Sequence, residues 1–167
     1  MKPRLVLNNK NIYLVRHGLS TLSKWGYGKR KLTADLLPQG EIAVRKIARY
    51  LKGVPASYNA SSDLARCRQT TEIISRITGK SFYYDKRLTD FHHETFTDFK
   101  KRISGFLEDI SSVNKKNVII CTHAAVIAAM KHFITENKFI YKDRFDYPKE
   151  GELVIIKSKE YKKINFN

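Results

Sequence analysis

The chain has 167 residues, 42% of them hydrophobic and 11% aromatic, enough apolar material to fill one core and too much for a disordered tail or a coiled coil. No apolar stretch approaches the roughly 20 residues of a membrane span, and "MKPRLVLNN" lacks the longer apolar region of a secretory signal, so a soluble cytoplasmic protein without membrane partners is expected. With 32 Lys plus Arg against 16 Asp plus Glu, the formal net charge is +16. That field can steer a phosphorylated substrate, hold nucleic acid non-specifically, or simply solvate the surface.

In chain order, "NIYLV" reads as a buried strand, and "GEIAVRKIARYLKG" places Ile42, Ala43, Ile47 and Leu51 near helical spacing with Gly53 as its stop. "SYNAS" is a weak strand, with "SSD" after it as an N-cap. "LARCRQTTEIISRITG" is a helix with Ile73, Ile74 and Ile77 on its apolar face, closed by Gly79. "SFYYD" is a third short strand. The clearest helix runs from Thr95 to Val113, where Phe96, Phe99, Ile103, Phe106 and Ile110 repeat at three, four, three and four. "NVIIC" reads as a strand, "AAVIAAMKHFITENK" as a helix, and "ELVIIK" and "YKKINF" as strands for a sheet edge. This alternation predicts one α/β domain over residues 1–167, three-layered, with a mostly parallel central sheet and helices on both faces. The two cysteines, Cys67 and Cys121, are too few for a disulfide framework and are expected to be reduced and structural.

The two most apolar runs end alike, in Arg16-His17-Gly18 and Thr122-His123-Ala124. In an open parallel sheet ligands bind outside the carboxyl ends of the strands, so both histidines are expected at one site. Arg66, on the first turn of the helix after "SYNASSD", faces the same crevice. Two arginines and two histidines make a cationic pocket suited to phosphate, because guanidinium forks match phosphate oxygens.

These residues resemble the histidine phosphatase superfamily, also called phosphoglycerate mutase-like. "LVRHG" at 14–18 is similar to its signature, "LLPQG" at 36–40 to LTxxG, "SDLARCRQT" at 62–70 to SPLxRxxQT, and "IICTHAAVI" at 119–127 to the closing SHGGVI. The resemblance implies a phosphatase in which His17 attacks phosphorus and forms a phosphohistidine that water hydrolyses, with Arg16, Arg66 and His123 binding the phosphoryl oxygens. The implied substrate is an anionic phosphorylated small molecule or phosphoprotein, with no cofactor and no metal. His92-His93 is not expected to form a metal site, since neighbours in an extended segment point opposite ways and no further ligands join them.

The family's usual acid sits in an L-x-E stretch. Here "RLTDFHHETF" puts Asp90 at the matching position, with Glu94 as competitor. Leu19 replaces a commonly polar residue, and Ala124 and Ala125 replace glycines. Ser20 and Ser23 are candidate phosphate contacts, and "KWGYGKRK" a candidate substrate-facing flap. A mutase is disfavoured because the stretch between Leu88 and the closing motif is short. A non-catalytic or nucleic-acid-binding protein on the same fold is the rival reading, with little support from aromatic and basic residues alternating on a strand.

Overall fold

The structure is a computed structural model that describes residues 7, 9–21 and 31–167. One six-stranded sheet runs through it in the order β3-β2-β4-β1-β5-β6. The strands are β1 Asn11–Arg16, β2 Tyr58–Ser61, β3 Tyr83–Tyr84, β4 Asn117–Thr122, β5 Glu152–Lys157 and β6 Glu160–Asn165. The first four in sequence pair in parallel, whereas β5 lies antiparallel to β1 and β6 antiparallel to β5. The sheet is therefore mixed, with a parallel majority as expected. Both C-terminal strands join it, β5 inside and β6 at the edge. The hairpin between them turns on Ser158 and Lys159, both at positive φ, the two-residue geometry that matches strand twist.

Helices α1 Pro38–Lys52, α2 Ala65–Thr78, α3 Phe96–Ser112 and α4 Ala124–Glu136 cover both faces. Alternation along the strands sorts them. Ile12 and Leu14 of β1, with Val118 and Ile120 of β4, pack against α3 and α4. Their neighbours Tyr13, Val15, Ile119 and Cys121 pack against α1 and α2. Strands buried on both faces need apolar residues at every position, which explains the unbroken runs "IYLV" and "VIIC". Each fully buried aliphatic side chain contributes about 1.5–3 kcal/mol, so Leu14→Ala in the central strand would cost about 2–5 kcal/mol.

Element ends follow local chemistry, with some departures from expectation. Thr95 caps α3 by accepting from the Asp98 amide at 3.1 Å, and Gly79 closes α2 in the left-handed region at φ 73°. Gly53 closes α1 in a right-handed conformation, so its freedom is unused there. Helix α1 starts at Pro38, where a missing amide hydrogen costs nothing. The expected third strand shrinks to two exposed residues, Tyr83 and Tyr84.

Register positions the site. Arg16 pairs with Thr122 across β1 and β4, and the His17 amide donates to the Thr122 carbonyl at 3.1 Å. Ser61 pairs with Cys121, and the Ser62 amide donates to the Cys121 carbonyl at 3.0 Å. Three neighbouring strands thus end level, releasing His17, Ser62 and His123 at one rim.

Candidate active site

Arg66 organises this rim. It is 1% exposed, and its Nε donates to His17 Nε2 at 3.2 Å while one terminal nitrogen reaches His123 Nδ1 at 3.1 Å. A guanidinium has donors only, so both imidazole nitrogens facing it carry lone pairs. His17 therefore holds its proton on Nδ1 and donates it to the Gly18 carbonyl at 2.9 Å. His123 holds its proton on Nε2 and donates it to Ser62 Oγ at 2.8 Å. Burial, then the charges of Arg66 and Arg16, push His17 well below the ordinary histidine pKa, and the Gly18 bond opposes this only in part. Burial and the charge of Arg66 do the same to His123. Both rings are neutral, 5.2 Å apart between centroids.

Arg16 stands on the other side of His17, 8% exposed. One terminal nitrogen donates to the Pro148 carbonyl at 2.8 Å and the other pairs with Glu150 at 2.7 Å. Its Nε is buried with no partner among the described residues. Tyr147 lies against the guanidinium at 5.2 Å. The segment ahead of β5 thus clasps the end of β1.

The two carboxylates weighed from sequence go to different places. Asp90 Oδ2 lies 3.4 Å from Arg66 and 3.6 Å from Lys31 Nζ. Glu94 is gripped by Arg102 through Nε and a terminal nitrogen, the latter at 2.5 Å. Arg102 also donates to the carbonyls of Arg87 and Asp90. Thr122 Oγ1 holds the Leu88 carbonyl at 2.6 Å. Asp90 is thus presented to Arg66 by both β4 and α3, with Glu94 serving the anchor.

The structure brings together Arg16, His17, Arg66, Asp90 and His123. Ser20 is fully buried in a bridge to Leu36. Ser23 and residues 24–30 of the flap lie outside the described residues. Lys31, the flap's last residue, accepts Arg66 through its carbonyl at 2.7 Å and donates to the Phe91 carbonyl at 2.6 Å. His92 and His93 do not point apart: their rings lie 3.9 Å from each other, because His93 adopts φ 48° and breaks the extended path. Among the described residues, no group of three His, Cys, Asp or Glu could hold a metal ion. The "SSD" N-cap is also corrected. Helix α2 is capped by Leu64 without a side-chain bond, while Ser62 Oγ accepts both the Leu64 amide at 3.3 Å and His123 Nε2 at 2.8 Å.

Sequence reasoning missed Ser62, Thr70 and Glu150 as partners of the site. Thr70 Oγ1 accepts the Gly18 amide at 3.1 Å and donates to the Arg66 carbonyl at 2.7 Å, tying the loop after β1 to the first turn of α2. Its place at the end of "SDLARCRQT" was the available signal. Cys67 and Cys121 are free and buried, and burial raises the Cys67 thiol well above its ordinary pKa, which keeps it unreactive.

The sequence is 25% identical over 160 residues to a Hydrogenobacter thermophilus protein named a phosphoserine phosphatase, covering 75% of this chain and 79% of that one. It is 33% identical over 84 residues to a Photorhabdus laumondii protein named a phosphoglycerate mutase, GpmB, a match spanning 48% of this chain and 38% of that relative's length. The crystal structure of the alpha-ribazole phosphatase from Shigella flexneri superposes with a TM-score of 0.77 at 16% identity, covering 94% of this chain and 96% of that one, which speaks for the fold. The family model described as histidine phosphatase superfamily (branch 1) matches residues 12–93 and 91–164. The chain belongs to that superfamily.

Proposed function

We propose that the protein is a phosphatase hydrolysing phosphate monoesters or phosphoramidates, its positive charge supplied by side chains rather than by a metal, through a covalent phosphohistidine on His17. The observation that carries this reading is the state of His17, a buried neutral imidazole with its Nδ1 proton spent on Gly18 and its Nε2 lone pair directed at Arg66. That is a nucleophile in the correct tautomer. Nε2 attacks phosphorus in line as the bond to the leaving oxygen breaks, and that oxygen takes a proton from the Asp90 carboxyl group. Water then attacks phosphorus, the P–N bond breaks to restore His17, and Asp90 takes the water's proton. Arg16 and Arg66 hold the equatorial oxygens, joined by His123 once the arriving phosphate's negative charge draws a second proton onto its Nδ1, and this charge stabilisation does most of the catalytic work. Arg16 Nε, buried and without a partner among the described residues, supports an anion at this place, since such donors are rare.

A mutase is less favoured, because the stretch from Leu88 to His123 is taken up by α3 and its anchors. The reading carries with it a cytoplasmic setting and a phosphorylated small molecule or phosphoprotein as substrate, attracted by the +16 charge. Protein incubated with a labelled phosphate ester and quenched in alkali should retain acid-labile phosphate on His17, and His17→Ala should retain none. Equal labelling of the two, or an acid-stable label on serine, would overturn it.

A further inference from the structure

A cavity of about 180 Å³ opens beside Asp90, outside the phosphate pocket itself, and is walled by Phe91, Ala124, Ala125, Arg144, Phe145 and Tyr147 together with Lys31. Its position sets its use. Asp90 lines it on one side while also touching Arg66 at 3.4 Å, and Tyr147 lines it on the other while lying against Arg16. A phosphate held by the two arginines would direct its leaving group, the partner of Asp90 in proton transfer, into this space.

We infer that the cavity binds an aromatic or heteroaromatic ring carried by the leaving alcohol, so that the substrate class is ring-bearing phosphate monoesters. The inference rests on the phosphatase reading above.

The walls argue for a ring. Three of the lining residues are aromatic, and planar groups stack on aromatic faces more favourably than their area alone accounts for. Space is adequate, since apolar cavities of roughly 150 Å³ accept benzene. Ala124 and Ala125, at the start of α4, keep the floor low without the flexibility of glycine. Exposure points the same way. Phe145 is 62% exposed, Tyr141 55% and Tyr147 37%, a concentration of wet aromatic surface along one short segment of the kind that marks a binding site.

That surface is held in place rather than loose. The Arg144 guanidinium is stacked on Tyr141 at 3.5 Å and on Phe145 at 4.0 Å, and donates to the Tyr141 carbonyl at 2.8 Å. Asp146 fastens the segment to α4 through Lys131 at 2.5 Å and His132 at 2.8 Å. A rim ordered before binding loses little entropy when a ring arrives.

Non-hydrolysable phosphonates separate ring binding from turnover. Dissociation constants for propylphosphonate, 3-phenylpropylphosphonate and 3-cyclohexylpropylphosphonate should be measured by calorimetry on the wild type and on Phe145→Ala. The phenyl compound is expected to bind the wild type at least roughly tenfold more tightly than the propyl compound, within the range known for apolar pockets, and more tightly than the cyclohexyl compound. In Phe145→Ala the phenyl preference should shrink, with propylphosphonate unchanged. Equal binding of phenyl and propyl compounds, equal binding of phenyl and cyclohexyl compounds, or a preference untouched by Phe145→Ala would each overturn the ring assignment while leaving the phosphate pocket standing. If no phosphonate binds, the phosphate pocket itself is refuted, and the ring site with it.

Discussion

The imidazoles of His17 and His123 lie 5.2 Å apart, and each turns a lone pair toward the same guanidinium, that of Arg66. Neither ring can be protonated without bringing a cation against a buried arginine. Both groups are therefore depressed in the folded state, by burial first and by Arg66 second.

This depression makes stability depend on pH in a definite direction. Below the ordinary histidine value of about 6.5 the unfolded chain binds protons that the folded chain refuses, so stability present above that pH is lost as pH falls toward and through the folded-state values. Each histidine adds up to about 1.4 kcal/mol per pH unit in that window. Urea unfolding followed from about pH 7 to pH 5 checks this. His17→Asn should remove up to one proton from the slope, and an unchanged slope would show that His17 is not held neutral by the fold.

Arg66→Met keeps much of the side-chain length and removes the charge. The expected result is a loss of roughly 100- to 1,000-fold in kcat, the usual effect of deleting one electrostatic stabiliser. Imidazole proton resonances followed against pH should show both histidines titrating at higher pH than in the wild type, because the guanidinium is a named cause of both depressions. Lost activity with unmoved titrations would mean that Arg66 acts on substrate without setting the state of the histidines.

Leaving groups separate Asp90 from Glu94. An alkyl phosphate needs a proton donor, whereas nitrophenolate departs with little help. Asp90→Asn should slow the alkyl ester by at least roughly 100-fold and the nitrophenyl ester far less. Glu94→Gln loosens the Arg102 anchor and should slow both alike. Selective loss in Glu94→Gln alone would move the acid to Glu94, and uniform loss in both would leave neither carboxylate as the donor.

Gly40 tests the packing under the site. A Cβ there would stand 2.4 Å from the Leu19 carbonyl oxygen and 2.7 Å from the Leu19 amide nitrogen, directly behind His17 and Gly18. Backbone cannot yield as a side chain tip does, so Gly40→Ala should cost about 1–3 kcal/mol and reduce activity with it. Denaturant midpoints read the loss, and an unaltered midpoint would show that α1 can shift away.

Periodicity and element ends were legible because they are local. The unbroken apolar runs of β1 and β4 announce strands buried on both faces, and the Phe99, Ile103, Phe106 and Ile110 spacing announces α3. The histidines were legible for the same reason, each standing immediately after such a run. Short "SFYYD" was legible as a strand but not in its length, since only Tyr83 and Tyr84 find a partner. "SSD" misled in part, because Ser62 Oγ reaches the Leu64 amide at 3.3 Å, just ahead of the helix's own first amides, and shares that oxygen with His123.

By itself, then, the sequence determined the α/β alternation, the strand-end histidines and the residue types of a cationic rim. Only the tertiary structure decided that β1, β4 and β2 end level, that Arg66 sets the tautomers of two histidines, that Asp90 meets Arg66 while Glu94 meets Arg102, and that Pro148 and Glu150 clasp Arg16. The reason is range. Periodicity reports what lies within a few residues along one element, whereas the choice between two carboxylates four residues apart depends on which cation the fold delivers to each, and Arg16 meets a carbonyl 132 residues away in sequence through a register no local pattern encodes.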